Sequence, residues 1–285
     1  MPDLIGTVQA ELDAASGRLA TAGFDQPRRE ALRVWAALSG TGPGEVWQDQ
    51  GSLAPAEQAT RFHEAVGRLI AGEPIQYVIG WTGFRRLVLC CDRRALIPRP
   101  ETEGLVDLAL ALAPKGRALD LGTGTGCLAL ALADEGQYAS VTAVDRSPDA
   151  LALARHNGSR TGLAVRWLEG DWCRPVEGEQ FDLVVSNPPY ITGAELEGLE
   201  PGVREWEPRV ALDGGPDGLS EVTRLLRDVP RVLGPGGWLL MELDSTRARA
   251  SAGLAHDLGW KTATVHDDLF GRPRYLVARR ESNDA

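Results

Sequence analysis

Apolar residues in the first 75 positions recur at the three- and four-residue spacing of amphipathic helices. The spacing predicts three helices, over residues 4–19, 27–40 and 55–70. Three short amphipathic helices can cover one another and make a small bundle. Because the segment contains no cluster of chemically reactive side chains, we expect it to bind a partner or to cover the rest of the protein.

After residue 115 the pattern changes to short apolar runs that alternate with helical segments. The runs predict five strands at 117–121, 140–145, 165–169, 181–186 and 237–243. This β-α-β rhythm is typical of a parallel sheet with helices on both faces. Two further strands, near 260–266 and 274–279, are joined without a helix and are therefore expected to form an antiparallel hairpin.

The stretch between the two patterns is expected to be a connecting β-hairpin. Tyr77, Val78, Trp81 and Phe84 would form one arm, and residues 87–89 the other. The chain is thus predicted to have three parts: a helical domain over 1–75, the hairpin over 76–92 and an α/β domain over 93–285.

Charge and composition narrow the choice of partners. The 285-residue chain has a formal net charge of −10 and lacks a long block of Lys and Arg. Nucleic-acid binding is therefore disfavoured, and a basic protein partner fits better. No apolar run approaches the ~18–20 residues of a membrane span, and the first residues lack the features of a signal peptide, so we expect a cytoplasmic protein without membrane attachment. The cysteines and histidines show no ligand spacing, and no metal is predicted.

A glycine-rich loop follows the first predicted strand. Its residues Gly122, Thr123, Gly124, Thr125 and Gly126 are predicted to bind a cofactor. Glycines let the backbone turn sharply and approach a ligand, while the N–H groups of the next helix stay exposed. Cys127 stands where the nicotinamide fingerprint needs a glycine, and no Gly-Lys-Ser/Thr follows. Asp120 suits a ligand with a cationic amino-acid end, which favours S-adenosylmethionine.

Two acidic positions at the ends of the next strands extend this prediction. Asp145 ends the second strand, where a carboxylate can accept hydrogen bonds from two ribose hydroxyls. Asp171 and Trp172 follow the third strand, and Trp172 offers a flat apolar wall for an adenine ring. The alternatives are that Asp145 is a turn residue and that Trp172 belongs to the core.

The tetrapeptide Asn187, Pro188, Pro189 and Tyr190 ends the fourth strand. Neither proline can donate a hydrogen bond to the sheet, so backbone carbonyls are free to face a ligand. Together with the Asn187 amide and the Tyr190 ring, they would suit a planar –NH2 group. The tetrapeptide resembles motif IV of methyltransferases that act on amide or exocyclic nitrogens. A proline-rich turn without function is the alternative.

Taken in order, these segments resemble the release-factor glutamine methyltransferases, the HemK/PrmC family. The resemblance spans about 76–280 and rests on these segments: 96–103, 120–126, Asp145, 171–172, 187–190, 207–209 with 211–212, and 268–272. It implies an α/β fold, namely a Rossmann-like class I S-adenosylmethionine-dependent methyltransferase with a seven-stranded, mostly parallel sheet and a small N-terminal helical bundle.

The resemblance also implies an activity. The family methylates the side-chain nitrogen of the glutamine in the Gly-Gly-Gln motif of class-1 peptide-chain release factors, with S-adenosylmethionine as donor and S-adenosylhomocysteine as product. Asn187, Pro188 and Tyr190 would be catalytic, Pro189 would join them in substrate binding, and Asn187 would also contact the cofactor. The helical domain would dock the release factor. Glu242 matches the glutamate of the family's Glu-x-Gly pattern, whose glycine is replaced by Asp244, and this segment is expected to lie outside the core site.

Two other acceptors remain open from the sequence. A glutamine of a ribosomal protein would need the same tetrapeptide, and only the loosely matching N-terminal domain discriminates between the two protein substrates. Adenine N6-methylation uses a similar tetrapeptide but is disfavoured by the net charge of −10. A cofactor-binding adaptor without catalysis is the least favoured alternative, because every chemical position is present.

Overall fold

The computed structural model describes residues 4–281. The chain divides into two compact units: the residues up to Gly80 with Pro201–Trp206, and Trp81–Glu200 with the residues from Glu207 onward. The boundary thus falls after Gly80 and not after residue 75 as the sequence predicted.

The first unit is mainly helical. Its elements are β1 (Leu4–Thr7), α1 (Val8–Thr21), α2 (Pro27–Ser39), α3 (Pro43–Gln48), β2 (Leu53–Pro55), α4 (Ala56–Ile70), α5 (Ile75–Ile79) and, from later in the chain, α10 (Pro201–Arg204). The three predicted helices are confirmed as α1, α2 and α4. Their core includes Leu12, Val34 and Phe62, and Trp35 packs edge-on against Phe62 with 4.9 Å between ring centroids.

Two local predictions for this unit were wrong. Helix α1 begins at Val8 and not at Leu4, because the preceding residues pair with β2 and the Thr7 hydroxyl accepts a hydrogen bond from the Ala10 N–H. Residues 75–79 form α5 and not a hairpin arm. Pro74 precedes that helix and Gly80, with φ +83°, ends it in the left-handed conformation. A run of only a few apolar residues fits a helix and a strand equally well, so the sequence pattern could not distinguish the two here.

The second unit is built on one sheet with flanking helices. Its strands are β3 (Trp81–Phe84), β4 (Leu87–Cys90), β5 (Lys115–Leu121), β6 (Gln137–Asp145), β7 (Arg166–Glu169), β8 (Phe181–Ser186), β9 (Leu233–Glu242), β10 (Thr262–Asp267) and β11 (Pro273–Arg279). Its helices are α6 (Pro100–Leu112), α7 (Cys127–Glu135), α8 (Pro148–Thr161), α9 (Gly193–Glu197), α11 (Ser220–Asp228) and α12 (Ser245–Asp257). The pair β3–β4 forms the predicted hairpin, but its first arm begins at Trp81 and not at Tyr77.

Within the described chain, seven strands form the main sheet in the order β10-β11-β9-β8-β5-β6-β7. The pairs from β9 to β7 are parallel, and β11 is antiparallel to both neighbours. The predicted mostly parallel sheet with a terminal hairpin is therefore confirmed. Apolar clusters cover both faces of the sheet.

The strand order reverses between β5 and β8. From β5 the chain proceeds outward through β6 and β7, then returns to place β8 on the other side of β5. In a parallel α/β sheet such a reversal marks the switch point, where a ligand-binding crevice opens at the carboxyl ends of the two strands. Both sequence motifs of interest, the glycine loop and the Asn187 tetrapeptide, follow these two strands directly. Among residues 4–281, no helix is long and apolar enough to cross a membrane.

Candidate active site

The glycine loop wraps the carboxyl end of β5. The N–H groups of Gly122 and Thr123 both donate to the Val144 carbonyl on β6, at 2.9 and 3.1 Å. Gly122 and Gly124 have φ values of +74° and +55°, which L-residues rarely adopt. A Cβ on Gly122 would lie 3.2 Å from the Trp172 ring. The glycine at this position therefore keeps the backbone turn feasible and the adjoining space open.

Asp120 lies behind the loop and does not face the open space. It is fully buried, and its Oδ2 accepts hydrogen bonds from the Thr123 hydroxyl at 2.5 Å and the Ala129 N–H at 3.2 Å. Burial raises the pKa of Asp120 to about 7. The expectation that Asp120 meets a cationic ligand directly is thus corrected: this carboxyl ties the loop to the start of α7.

Asp145 projects from the end of β6 into the same crevice. Its Oδ2 accepts from the Gly124 N–H at 2.8 Å and its Oδ1 accepts from the Ser147 N–H at 2.9 Å. Burial raises the pKa of Asp145, although these backbone hydrogen bonds oppose the shift. Each carboxylate oxygen has a second lone pair, so Asp145 can brace the loop and still accept from a ligand hydroxyl.

Trp172 forms one wall of the crevice after β7. It is 8% exposed, has an unusual φ of +49°, and donates from its indole Nε1 to Glu221 Oε2 at 2.6 Å. Asp171 beside it pairs with Arg224 at 2.5 Å. An aromatic residue held in the left-handed region and fixed by a hydrogen bond has a defined ring orientation. Trp172 therefore presents a ring of fixed orientation to the crevice, and its contact with an adenine stays a prediction.

The Asn187 tetrapeptide leaves the sheet at the end of β8. The Asn187 Nδ2 donates to the Thr102 hydroxyl on α6 at 3.3 Å. Pro188 is buried, and Tyr190 packs against the hydrophobic core, where burial raises its pKa to about 12. Beyond the tetrapeptide, the N–H of Gly214 donates to the Ile191 carbonyl at 2.9 Å, which holds the following segment in place.

These elements enclose a single cavity of about 930 Å³, including the open space at its mouth. The predicted site residues that line it are Gly122, Thr123, Gly124, Thr125, Asp145, Trp172, Asn187 and Pro189. Gly126, Pro188 and Tyr190 do not line it, so contact of the Pro188 carbonyl and the Tyr190 ring with an acceptor amide stays a prediction. A Cβ on Gly126 would lie 3.0 Å from the Trp167 ring, so this glycine allows close packing behind the wall. The crevice thus joins the glycine loop and the amide tetrapeptide in one site.

The first turn of α6 and the residue before it add side chains that the sequence did not assign to the site. Arg99 and Thr102 line the cavity. Arg99 donates to Glu207 Oε1 at 2.5 Å, and Glu207, with 5% exposure, also accepts from the Ile97 N–H at 3.4 Å. Burial raises the pKa of Glu207, although Arg99 opposes the shift. The only sequence signal for Glu207 was its place in one of the family segments.

Glu242 is the second residue that the sequence underestimated. It ends β9, it is 2% exposed, and burial raises its pKa to about 7. Hydrogen bonding by Thr102, the residue that Asn187 contacts, opposes this shift. Glu242 does not line the cavity, as the sequence led us to expect, but hydrogen bonding by Thr102 connects it to a residue that does. Within the described residues, no group of three or more His, Cys, Asp or Glu side chains is placed to hold a metal.

The fold and the cavity define a class I methyltransferase of the S-adenosylmethionine-dependent, Rossmann-like type. The Methyltransferase small domain family matches residues 102–199, which hold the glycine loop and the tetrapeptide. A solved methyltransferase from Pyrococcus furiosus has the same fold, with a TM-score of 0.52, 19% identity and coverage of 79% of this chain and 99% of that chain. The PrmC N-terminal domain family matches residues 11–80, up to the observed unit boundary.

Two curated relatives identify the family. The release factor glutamine methyltransferase of Cereibacter sphaeroides is 42% identical over 271 residues, which cover 94% of this chain and 96% of that protein. The release factor glutamine methyltransferase of Moorella thermoacetica is 41% identical over 284 residues, which cover 96% and 99%. The chain belongs to the release factor glutamine methyltransferase family.

Proposed function

We propose that the protein transfers the methyl group of S-adenosylmethionine to the side-chain nitrogen N5 of the glutamine in the Gly-Gly-Gln motif of class-1 peptide-chain release factors. One observation carries the proposal: Asn187 and Pro189 line the same cavity as the glycine loop. A planar amide held by the tetrapeptide would therefore meet a cofactor held by the loop. The near-full-length relatives support the choice of acceptor.

The residues on the cavity wall fit S-adenosylmethionine. The backbone at Gly122 leaves open space where a Cβ would approach Trp172, Asp145 offers carboxylate lone pairs, and the Trp172 ring gives an apolar wall. Asp145 suits a ribose and the Trp172 ring suits an adenine, while the space beside Gly122 leaves room for the amino-acid end. When bound, the cofactor would supply an electrophilic methyl group on a sulfonium.

The tetrapeptide would supply orientation and charge stabilisation. An amide nitrogen is a weak nucleophile, because its lone pair is shared with its carbonyl. Acceptance of its two N–H bonds by Asn187 Oδ1 and the Pro188 carbonyl would fix the nitrogen and favour the positive charge that develops on it. Tyr190 would hold the amide plane. The methylated nitrogen then loses a proton to water, so none of these residues has to act as a strong base.

We propose that the helical unit docks the release factor. The match of residues 11–80 to the PrmC N-terminal domain supports this role, and the net charge of −10 suits a basic partner surface. The ribosomal-protein acceptor remains the second candidate. We also propose a cytoplasmic location, because the acceptor acts in translation.

The decisive test offers purified protein and labelled S-adenosylmethionine to three acceptors: a class-1 release factor, ribosomal proteins and DNA. We expect one methyl group on the Gly-Gly-Gln glutamine, located by mass spectrometry of the digested factor. A release factor whose Gly-Gly-Gln glutamine is changed to alanine is the matched control and should stay unlabelled. Label in a ribosomal protein or in DNA, with none in the release factor, would refute the proposed acceptor.

Asp145→Ala tests the proposed cofactor site. Loss of a charged acceptor for the ribose hydroxyls should weaken S-adenosylmethionine binding by ~1–3 kcal/mol. Isothermal calorimetry measures this loss, and Asp149→Ala, an exposed acid in the next helix, is the control. Asp145→Asn retains an acceptor for the Gly124 N–H and should lose less. Unchanged affinity in Asp145→Ala would mean that Asp145 only braces the loop.

A further inference from the structure

Strand pairing places Glu242 beside the amide tetrapeptide. Ser186 on β8 lies opposite Met241 on β9, and these strands are parallel, so the next residue of each, Asn187 and Glu242, are neighbours at the carboxyl edge of the sheet. Glu242 is 2% exposed, and its Oε2 has no hydrogen-bond partner among the described residues. A carboxyl group withdrawn from water without full compensation is costly, which points to a role.

Thr102 links the two side chains. Its hydroxyl accepts from Asn187 Nδ2 at 3.3 Å, and hydrogen bonding by the same hydroxyl lowers the pKa of the Glu242 carboxyl against the effect of burial. A hydroxyl has one proton to donate. If that proton goes to a carboxylate at Glu242, Thr102 can only accept from Asn187. The Asn187 amide must then turn its nitrogen toward Thr102 and its oxygen, the atom that the glutamine amide needs, away from it.

We propose that Glu242 is a positioning residue that fixes the direction of the Asn187 side-chain amide through the Thr102 hydroxyl. This role rests on the proposed function, because it gives a purpose to the orientation of Asn187. We call the chain of hydrogen bonds from Asn187 through Thr102 to Glu242 the relay. Protonation of Glu242 reverses it, because Glu242 then donates to Thr102, and Thr102 can donate to the Asn187 oxygen. Asn187 would then present N–H donors to the donors of the substrate amide, and the pair would repel.

The relay makes the site sensitive to pH near neutrality. Burial raises the pKa of Glu242 to about 7, so the carboxylate form dominates above that pH. The other charged or titratable groups that face Glu242 are Arg274 and Tyr275 on β11, Glu101 on α6, Arg99 before α6, Tyr190 after β8 and Cys127 on α7. The pKa values of Tyr190, Tyr275 and Cys127 are raised to about 12, so these three do not titrate in the same range.

NMR spectroscopy can follow the orientation of the Asn187 side-chain amide in the absence of a methyl-accepting substrate. The chain contains only three asparagines, Asn157, Asn187 and Asn283, so labelling with [15N]asparagine gives three side-chain amide signals, which Asn187→Ala assigns. The Asn187 signal should shift with a midpoint near pH 7, and Glu242→Gln, which cannot titrate, should abolish that shift. Asn157, which donates to the Cys90 and Thr125 carbonyls, is the internal control. An Asn187 signal that does not move with pH, or that moves equally in Glu242→Gln, would overturn the proposal.

The kinetics of single and double variants test whether Glu242 acts on Asn187 through Thr102. Glu242→Leu should lower kcat about 10–100-fold, since the reacting amide loses its fixed acceptor, while S-adenosylmethionine affinity stays unchanged. Thr102→Val should lower kcat similarly, and the double variant should be no worse than either single variant. Glu135→Gln, which changes a glutamate of α7 that pairs with Arg85, should keep wild-type kcat. Additive losses, or wild-type kcat in Glu242→Leu, would refute the relay. If the proposed acceptor is wrong, the wild type shows no turnover on the release factor while the Asn187 titration remains.

Discussion

Asn187→Ala is expected to reduce kcat on a release factor by ~10²–10³-fold, because one preorganised hydrogen-bonding group at the reacting centre is lost. The Asn187 side chain reaches the cavity from the end of β8, beyond the last paired residue of that strand. The fold should therefore change little. Single-turnover assays with labelled cofactor measure the chemical step, and thermal unfolding checks the fold.

Asn187→Asp tests whether the reaction needs a hydrogen-bond acceptor on the side chain at this position. The aspartate keeps an acceptor that faces the substrate but loses the donor to the Thr102 hydroxyl. We expect its kcat to fall between those of wild type and alanine. Cofactor affinity measured by calorimetry should stay within a few-fold in both variants. Turnover by Asn187→Ala close to the wild-type rate would show that another group orients the glutamine amide.

Much of the catalytic unit could be predicted from sequence, because parallel strands in an α/β sheet are short, apolar and separated by helices. The seven strands of the main sheet lie where the apolar runs indicated, with shifts at their ends. The site followed from the same logic, since parallel strands bring their carboxyl ends to one edge. Gly122, Asp145 and Asn187 come from three different strand ends and line one cavity.

The sequence failed where the answer depends on which strands are neighbours. Glu242 approaches Asn187 only because β9 pairs with β8, and no local pattern near Glu242 reports that pairing. The prediction for Asp120 erred in the opposite direction, because it assigned a ligand contact to a side chain that faces the protein interior. Its position before the loop suggested a ligand contact, but the Thr123 hydroxyl and the Ala129 N–H turn its carboxyl inward. Side-chain partners are decided by packing, which periodicity does not encode.

Gly214→Ala is expected to slow methyl transfer, although Gly214 lies outside the Asn187 tetrapeptide. A Cβ on Gly214 would lie 2.5 Å from the Tyr190 Cα and 2.8 Å from the Pro189 carbonyl oxygen. Both atoms belong to the backbone, so no side-chain rotation can relieve the contact, and the tetrapeptide must move. Displacement of a catalytic group by about 1 Å costs on the order of 10²-fold in rate. Overpacking of this kind also costs ~1–3 kcal/mol of stability.

Gly193→Ala is the matched control for this substitution. Gly193 begins α9 in the segment that follows the tetrapeptide, and a Cβ there meets no atom within 4 Å. We expect Gly193→Ala to keep wild-type kcat and thermal stability. Gly214→Ala should lose ~10²-fold in kcat while its affinity for S-adenosylmethionine, measured by calorimetry, falls less than about tenfold, because the glycine loop and Asp145 come from other strands. If Gly214→Ala instead turns over as fast as Gly193→Ala, the position of the Pro189–Tyr190 backbone does not control the methyl transfer.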